Sequence, residues 1–278
     1  MFKVLRKTNI ADNLYKLDIE APAIAAKVKP GQFIMLLVDE KGERIPITIC
    51  GWDRVLGTIS IVVSKVGTST TKLTSLSEGS EIDHITGPLG KVSEIDNYGN
   101  VLVVGMGYGA MAIQPLAKEL KAAGCKIYSA ISGGTQSEIV SIDSLKEISE
   151  ACSVMTMDGT SGETGWITDA VEKIVSENKI DRIIMVGSLC AMEAVSGIAK
   201  KYDIEYRVSL NPIMVDGTGM CGACRCNVDG KTKFACVDGP EFDGRKVDWE
   251  QIMMRRCPYP AKQAGSIDIY HCRACGQW

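Results

Sequence analysis

Residues 209–239 decide how this chain is read. They run Ser209-Leu-Asn-Pro-Ile-Met-Val-Asp-Gly-Thr-Gly-Met-Cys-Gly-Ala-Cys-Arg-Cys226, pass through a polar stretch, and close on Phe234-Ala-Cys-Val-Asp-Gly239. Cys221 and Cys224 stand two residues apart, and Cys236 follows a short hairpin-like excursion. A plant-type 2Fe–2S loop is spaced Cys-x4-Cys-x2-Cys followed by a distant Cys. Asp216 occupies the place of the first cysteine in that spacing. Glycines at 217, 219 and 222 let backbone amides turn toward sulfur without a Cβ clash. One reading is therefore a 2Fe–2S cluster on three thiolates and one carboxylate: Asp216, Cys221, Cys224 and Cys236. A Cys-x2-Cys pair with further cysteines is also a zinc pattern, with Cys226 as the fourth ligand. Unligated thiols beside an ordinary Asp-Gly turn are the third reading. Spacing alone leaves all three open.

Working outward, the composition bounds the class. The 278 residues can hold two or three compact domains, and 45% hydrophobic with 23% charged residues is ordinary for a water-soluble protein. A net charge of −3 gives no reason to expect nucleic acid or an anionic membrane surface as partner. No apolar run reaches spanning length, and the N-terminus lacks a signal-peptide core, so a cytoplasmic protein is expected. Eleven cysteines in that compartment favour metal ligation or free thiols over disulfides. The two histidines, His84 and His271, make imidazole acid–base chemistry an improbable centre.

Upstream, residues 1–98 read as a small antiparallel β-barrel. Apolar, β-branched runs at Leu14–Ile19, Gln32–Val38, Ile45–Ile49 and Thr58–Val63 are separated by turn signals. Gly87-Pro-Leu-Gly90 is expected to be a tight closing turn. Within the barrel, Arg44-Ile-Pro-Ile-Thr48 combines a cation, a proline-stiffened strand and a hydroxyl. It reads either as a diphosphate- and ring-binding strand or as a plain edge strand. Val63-Ser64 through Gly67, Ser69 and Thr70 ends a strand in small residues whose amides can meet phosphate, or is simply a loop.

Near residue 99 the pattern changes. Val101-Leu-Val-Val104 is a continuous apolar run, as in a buried parallel strand. It enters Gly105-Met-Gly-Tyr-Gly109-Ala110 and then a helical stretch to Gly124. Strand, glycine loop and helix suit a dinucleotide phosphate at the helix N-terminus. Strands at Lys126–Ser132, Ser153–Met157 and Arg182–Gly187 alternate with helices at Ser144–Ala151, Thr168–Glu177 and Met192–Tyr202. That order makes residues 99–208 a doubly wound α/β unit. Gly187-Ser-Leu-Cys-Ala-Met192 ends a strand where such a sheet receives ligand, and Cys190 either lines that site or packs as a small thiol. Gly239–Trp249 is expected at the surface. In the tail, His271-Cys-Arg-Ala-Cys275 has metal-like spacing and Cys257 stands alone. Residues 209–278 form the third unit, the 2Fe–2S domain and tail.

This order of barrel, glycine-rich βα unit and cysteine loop resembles the ferredoxin–NADP reductase superfamily. More narrowly it is similar to electron-transfer subunits that append a 2Fe–2S domain to that fold. One branch serves dihydroorotate dehydrogenase B; the other is the small subunit of NADH-dependent reduced ferredoxin:NADP oxidoreductase, also described as a sulfide dehydrogenase subunit. Asn211–Arg225 and Ala235–Phe242 carry the resemblance to the second, in which aspartate replaces the first cysteine. The resemblance implies FAD against Arg44, Pro46, Ile47, Thr48, Val63, Ser64, Gly67, Ser69 and Thr70. It implies a nicotinamide dinucleotide against Gly105, Gly107, Gly109 and Ala110, its reactive end near Gly187, Ser188, Leu189, Cys190 and Met192. It also implies iron on Asp216, Cys221, Cys224 and Cys236, and no catalytic acid or base. NADH is expected over NADPH, because Ser132-Gly-Gly-Thr-Gln136 offers no cation for a 2′-phosphate. The implied function is an NAD(P)H-dependent flavin/iron–sulfur oxidoreductase subunit, passing electrons to a larger flavin/iron–sulfur partner and indirectly to ferredoxin. A dihydroorotate dehydrogenase B subunit and a zinc-stabilised nucleotide-sensing module are the alternatives.

Overall fold

The computed structural model describes residues 1–256. His271, Cys272 and Cys275, whose spacing raised a second metal site, and Cys257 lie outside them. The first unit is a seven-stranded antiparallel sheet: β1 (Phe2–Ala11), β2 (Leu14–Glu20), β3 (Phe33–Leu37), β4 (Ile45–Asp53), β5 (Thr58–Ser64), β6 (Glu81–Ile82) and β7 (His84–Leu89). Its spatial order is β6-β1-β2-β5-β4-β3-β7. Asp83 alone separates β6 from β7, so the two ends of that order are covalently joined and the sheet closes on itself. Alternation drives the closure: Ile59, Ile61 and Val63 of β5 point inward with Leu17, Ile19, Ile34 and Leu36. Two short helices, α1 (Pro22–Ala25) and α2 (Thr68–Ser75), connect strands at its rims. Gly87-Pro88-Leu89 is not the expected turn. It lies inside β7, with Leu89 paired to Phe33.

The second unit alternates β8 (Asn100–Met106), α3 (Gly109–Ala122), β9 (Lys126–Gly133), α4 (Ile142–Lys146), β10 (Ser149–Thr156), β11 (Glu163–Thr164), α5 (Ile167–Glu177), β12 (Arg182–Val186), α6 (Leu189–Lys201) and β13 (Glu205–Ser209). These strands are parallel in the order β11-β10-β9-β8-β12-β13. The order reverses between β8 and β12, which opens a crevice at their C-terminal ends. Two sequence expectations fail here. The helix expected over Ser144–Ala151 stops at Lys146, because Ser149 and Ala151 pair with β9. The helix expected from Met192 begins at Leu189, because the Ser188 hydroxyl caps it by accepting from the Ala191 amide at 3.3 Å.

The remaining segment forms a hairpin, β14 (Arg225–Val228) with β15 (Lys231–Phe234), then α7 (Ala235–Asp238), β16 (Glu241–Asp243) and α8 (Trp249–Arg256). The expected surface character of Gly239–Trp249 is wrong. β16 joins the parallel sheet as an antiparallel edge on β13, burying Phe242, and Val247 and Trp249 fill the core behind it. Each such side chain contributes about 2 kcal/mol of apolar burial, and the Trp249 indole donates to Gly244 O.

Glu241 sits at the seam of all three units. Its carboxylate accepts from Ser93 Oγ, and the Lys91 amide donates to Gly239 O at 2.6 Å. Burial pushes the Glu241 carboxyl up, against the Ser93 hydrogen bond and the nearby Arg207 and Arg182, while Glu94 adds to the rise. A carboxyl whose folded pKa is raised stabilises the fold fully below its unfolded pKa and loses that contribution as pH rises through the folded value. Glu241→Gln keeps an acceptor for Ser93 without the buried charge. Its melting temperature is therefore expected above wild type near pH 8, with the gap closing toward about pH 4. A gap that is constant across this range would remove Glu241 titration as its source.

Candidate functional site

The cysteine loop holds its donors as two pairs. The Asp216 carboxylate accepts from the Thr218 amide at 2.8 Å and the Cys221 amide at 2.9 Å. The Thr218 amide is the main cause holding that carboxyl below its usual value, helped by the Cys221 amide and thiol and opposed by desolvation. Cys224 and Cys236, each 1% exposed, place their sulfurs 3.2 Å apart. Burial and the neighbouring Cys224 push the Cys236 thiol up, while the Gly219 amide, which hydrogen-bonds to it, works the other way. Gly217, Gly219 and Gly222 have φ of +78°, +85° and +67°. The loop thus needs left-handed backbone at all three.

Among the described residues, no three His, Cys, Asp or Glu side chains close on one point as a single metal ion requires. Tetrahedral zinc needs four donors round one centre, whereas a binuclear cluster takes two donors per iron. Asp216 with Cys221, and Cys224 with Cys236, are such a two-plus-two set. Cys226, the fourth zinc ligand in the alternative reading, is 1% exposed and donates its thiol to Lys233 O on β15. Burial, with Cys224 and Asp238 nearby, pushes that thiol up to about 12. The paired donors therefore fit a 2Fe–2S group, while Cys226 is engaged with Lys233 O and stands apart from them.

The barrel carries a notch that its register explains. Ile45–Thr48 of β4 pair with β3, but β4 pairs with β5 only from Ile49 to Asp53. Beyond Ile61, β5 pairs only with β2. Ile45–Thr48 and Val62–Ser64 therefore face each other without a ladder. Pro46, which has no amide to donate, belongs on such an open edge. Arg44 and Thr48 are exposed at the notch, while Val63 is buried and can reach a ligand only through its backbone. Gly67 begins α2, whose first-turn amides at Thr68, Ser69 and Thr70 have no intrahelical acceptor. Thr70 itself is engaged in the turn: its hydroxyl accepts from the Val66 and Gly67 amides.

At the crevice of the second unit the glycines divide their work. A Cβ on Gly105 would stand 2.5 Å from Ala110 Cα, and one on Gly109 would stand 2.4 Å from Val186 O. Both are glycine because α3 packs directly on β8 and β12. Gly107, with φ +55° and open space around it, makes the left-handed turn, its amide bonded to Ser132 O. The Ala110 amide donates to Gly107 O. Across the crevice, Leu189 and Met192 are buried in the core, leaving Gly187, Ser188 and half-buried Cys190 toward it. Beside Cys190, a cavity of about 110 Å³ is walled by Met106, Ser132, Met157, Trp166 and Thr168. Ser132 is 3% exposed, and its hydroxyl has no partner among the described residues. No motif spacing marks Met157, Trp166 or Thr168; the βα alternation that places them at strand ends is the signal that could have found them.

The loop and the notch meet at β3. A Cβ on Gly217 would lie 2.5 Å from Met35 Cγ and 3.0 Å from Leu89 Cδ1. Met35 is the register partner of Pro46. One residue of β3 therefore separates the cysteine loop from the notch.

A barrel with an open notch, a parallel sheet with a glycine turn at its switch point, and a two-plus-two cysteine loop seated on the barrel define a ferredoxin–NADP reductase-like electron-transfer protein. Residues 211–248 match the iron–sulfur cluster binding domain of dihydroorotate dehydrogenase B. The chain is 43% identical, over 96% of its length and 95% of the relative's, to a dihydroorotate dehydrogenase B (NAD(+)) electron transfer subunit homolog of Thermotoga maritima. It is 33% identical, over 88% and 97%, to the electron transfer subunit of that enzyme from Listeria innocua. Among solved structures, a chain from a study of flavin-based electron bifurcation in NADH-dependent reduced ferredoxin-NADP oxidoreductase superposes with a TM-score of 0.90, at 42% identity and 96% coverage of both chains. The chain belongs to the family of dihydroorotate dehydrogenase B electron-transfer subunits and their homologues.

The tight seat of Gly217 gives a direct expectation. Gly217→Ala adds a methyl where there is no room and strains a positive φ, together costing about 2–4 kcal/mol locally. Purified protein should carry less iron and acid-labile sulfide per chain than wild type while retaining flavin. Equal iron occupancy at equal yield would show that the loop does not depend on this contact.

Proposed function

We propose that this chain is the electron-transfer subunit of a flavin- and iron–sulfur-containing oxidoreductase, moving electrons between NAD(H) and a larger partner subunit. The observation that carries this reading is that the cysteine loop and the barrel notch both adjoin Met35, one against its side chain and the other as its strand partner. In the proposal, residues 1–98 bind FAD, 99–208 bind the nicotinamide dinucleotide, and 209–278 hold the cluster and the tail. Arg44, Pro46, Ile47 and Thr48 line the flavin side of the notch, Val63 and Ser64 offer backbone, and α2 turns its first amides, at Ser69 and its neighbours, toward diphosphate. Asp216, Cys221, Cys224 and Cys236 hold iron.

When bound, flavin and cluster supply the exchange between a two-electron hydride and single electrons. The chain's own residues orient and screen. Gly107 and Gly109 bring backbone close to a dinucleotide diphosphate, and Gly187 and Cys190 flank its reactive end. Cys224 and Cys236 are shielded from water by the barrel and hairpin. Exposed Cys221 and the apolar Met220, 86% exposed, present the loop outward to a partner. No side chain is required to move a proton.

Asp216 favours a partner of the ferredoxin:NADP oxidoreductase kind, reached by ferredoxin only through that partner, because the dihydroorotate branch has a cysteine there. Dihydroorotate dehydrogenase B is the second reading, supported by the match of residues 211–248 to its cluster domain. A cytoplasmic location is proposed from the unpaired cysteines at eight described positions. Among the described residues no helix is long and apolar enough to cross a membrane.

Purified anaerobically, the protein is expected to show flavin bands over a broad iron–sulfur envelope that bleach on addition of NADH. A colourless zinc protein would overturn the reading. Asp216→Cys replaces a hard oxygen donor by a polarizable thiolate, so the cluster's midpoint potential is expected to move. An identical potentiometric titration of the two proteins would exclude Asp216 from the iron.

A further inference from the structure

We infer that Glu138 reads the adenosine ribose of the dinucleotide and is the residue that makes the site select NADH over NADPH; this rests on the nicotinamide dinucleotide site proposed above. The Gly107 turn is tied to the end of β9 through the hydrogen bond from its amide to Ser132 O, 2.8 Å long. A dinucleotide whose diphosphate meets that turn lays one nucleoside across the end of β9. That end is Gly133-Gly134, and Glu138 folds back over it. Its carboxylate accepts from the Gly134 amide at 2.8 Å, and a Cβ on Gly133 would lie 2.9 Å from Glu138 Cβ. The neighbouring strand end adds a second carboxylate, Asp158, whose amide bonds Gly134 O and whose Oδ1 is occupied by Thr160. Between Ser132 and Gly165 the sole basic residue is Lys146, on α4, which lines a separate groove with Ile10 and Met111.

An independent observation points to a ligand at the same strand end. Ser132, whose buried hydroxyl has no partner among the described residues, lines the cavity beside Gly133. A polar group buried without a partner in the free protein is matched when a ligand brings one. Glu138 keeps free acceptor capacity beyond the Gly134 amide, which suits the two hydroxyls of a ribose. A 2′-phosphate there would place up to two negative charges against Glu138, with Asp158 behind it and no basic residue in this segment other than Lys146 in its separate groove.

The test uses the full chain with its cofactors. Reduction of an artificial dye is followed with NADH and with NADPH, and calorimetry compares 5′-ADP with adenosine 2′,5′-bisphosphate, which needs no turnover. Wild type should favour NADH and 5′-ADP. Glu138→Gln keeps an acceptor for the Gly134 amide and removes the charge. It should narrow both preferences by about tenfold, between the fully solvated and near-surface limits for one charge–charge contact, through KM and not kcat. Ser137→Arg, which leaves Glu138 in place, should narrow them as well. A preference that survives Glu138→Gln in a protein that still oxidises NADH would overturn the inference alone. So would a preference that moves with Asp158→Asn instead, or a wild type that favours NADPH. A wild type that binds neither nucleotide would overturn the dinucleotide site itself.

Discussion

No atom larger than hydrogen fits between Gly217 and Met35. Much else in the architecture follows from that contact. Electron exchange between two bound groups falls steeply with separation, so a cluster loop must be pressed against the unit that holds its redox neighbour. Here the pressing surface is β3, a strand buried in the barrel and paired on both sides, to β4 and β7. A strand so held cannot yield, so the loop must conform, and it does so with three glycines in left-handed backbone. Asp216 then holds the loop's shape with two amide hydrogen bonds before any metal is involved.

The three units are interlocked in a way their linear order hides. Glu241 reaches Ser93 from the strand that extends the parallel sheet, and Arg207 of β13 reaches Glu94 at 2.8 Å. Gly90 lacks room for a side chain because Pro240 and Gly239 O stand against it. The linker after the barrel is therefore bonded to both other units. Motion of the cysteine loop relative to the notch would have to break the seam at Glu241 as well as the seat at Gly217.

Much of this was legible in residue order. The barrel strands, the buried run at Val101–Val104 and the cysteine spacing each carry their own periodicity or chemistry, and each has its counterpart in the structure. The errors share a physical cause. Ser149–Ala151 has helical composition but finishes a parallel ladder, so pairing with β9 overrode local preference. Gly239–Trp249 read as surface for its glycine, proline and charge, yet it alternates and puts Phe242 inward on an edge strand. The glycines of residues 105–109 were legible as a group, but their division of labour was not: two make room for helix packing and one makes the turn. The notch was legible only in part: Pro46 marked an open or ligand-facing edge, but the facing wall arises from where β4 stops pairing with β5, which no local window contains. Glu138 escaped for the same reason, because its carboxylate matters only once the chain has folded it back over Gly134.

β16 has one more consequence, which concerns the order in which the chain is made. The parallel sheet is otherwise complete at Ser209, but one flank of β13 then offers a bare row of amides and carbonyls. Such a flank is a template for unwanted pairing between molecules. It stays bare during synthesis until residues 241–243 have left the ribosome, and the cysteine loop must emerge first. β16 thus doubles as an intramolecular chaperone: the sheet acquires its protective border only after every proposed iron ligand has been translated.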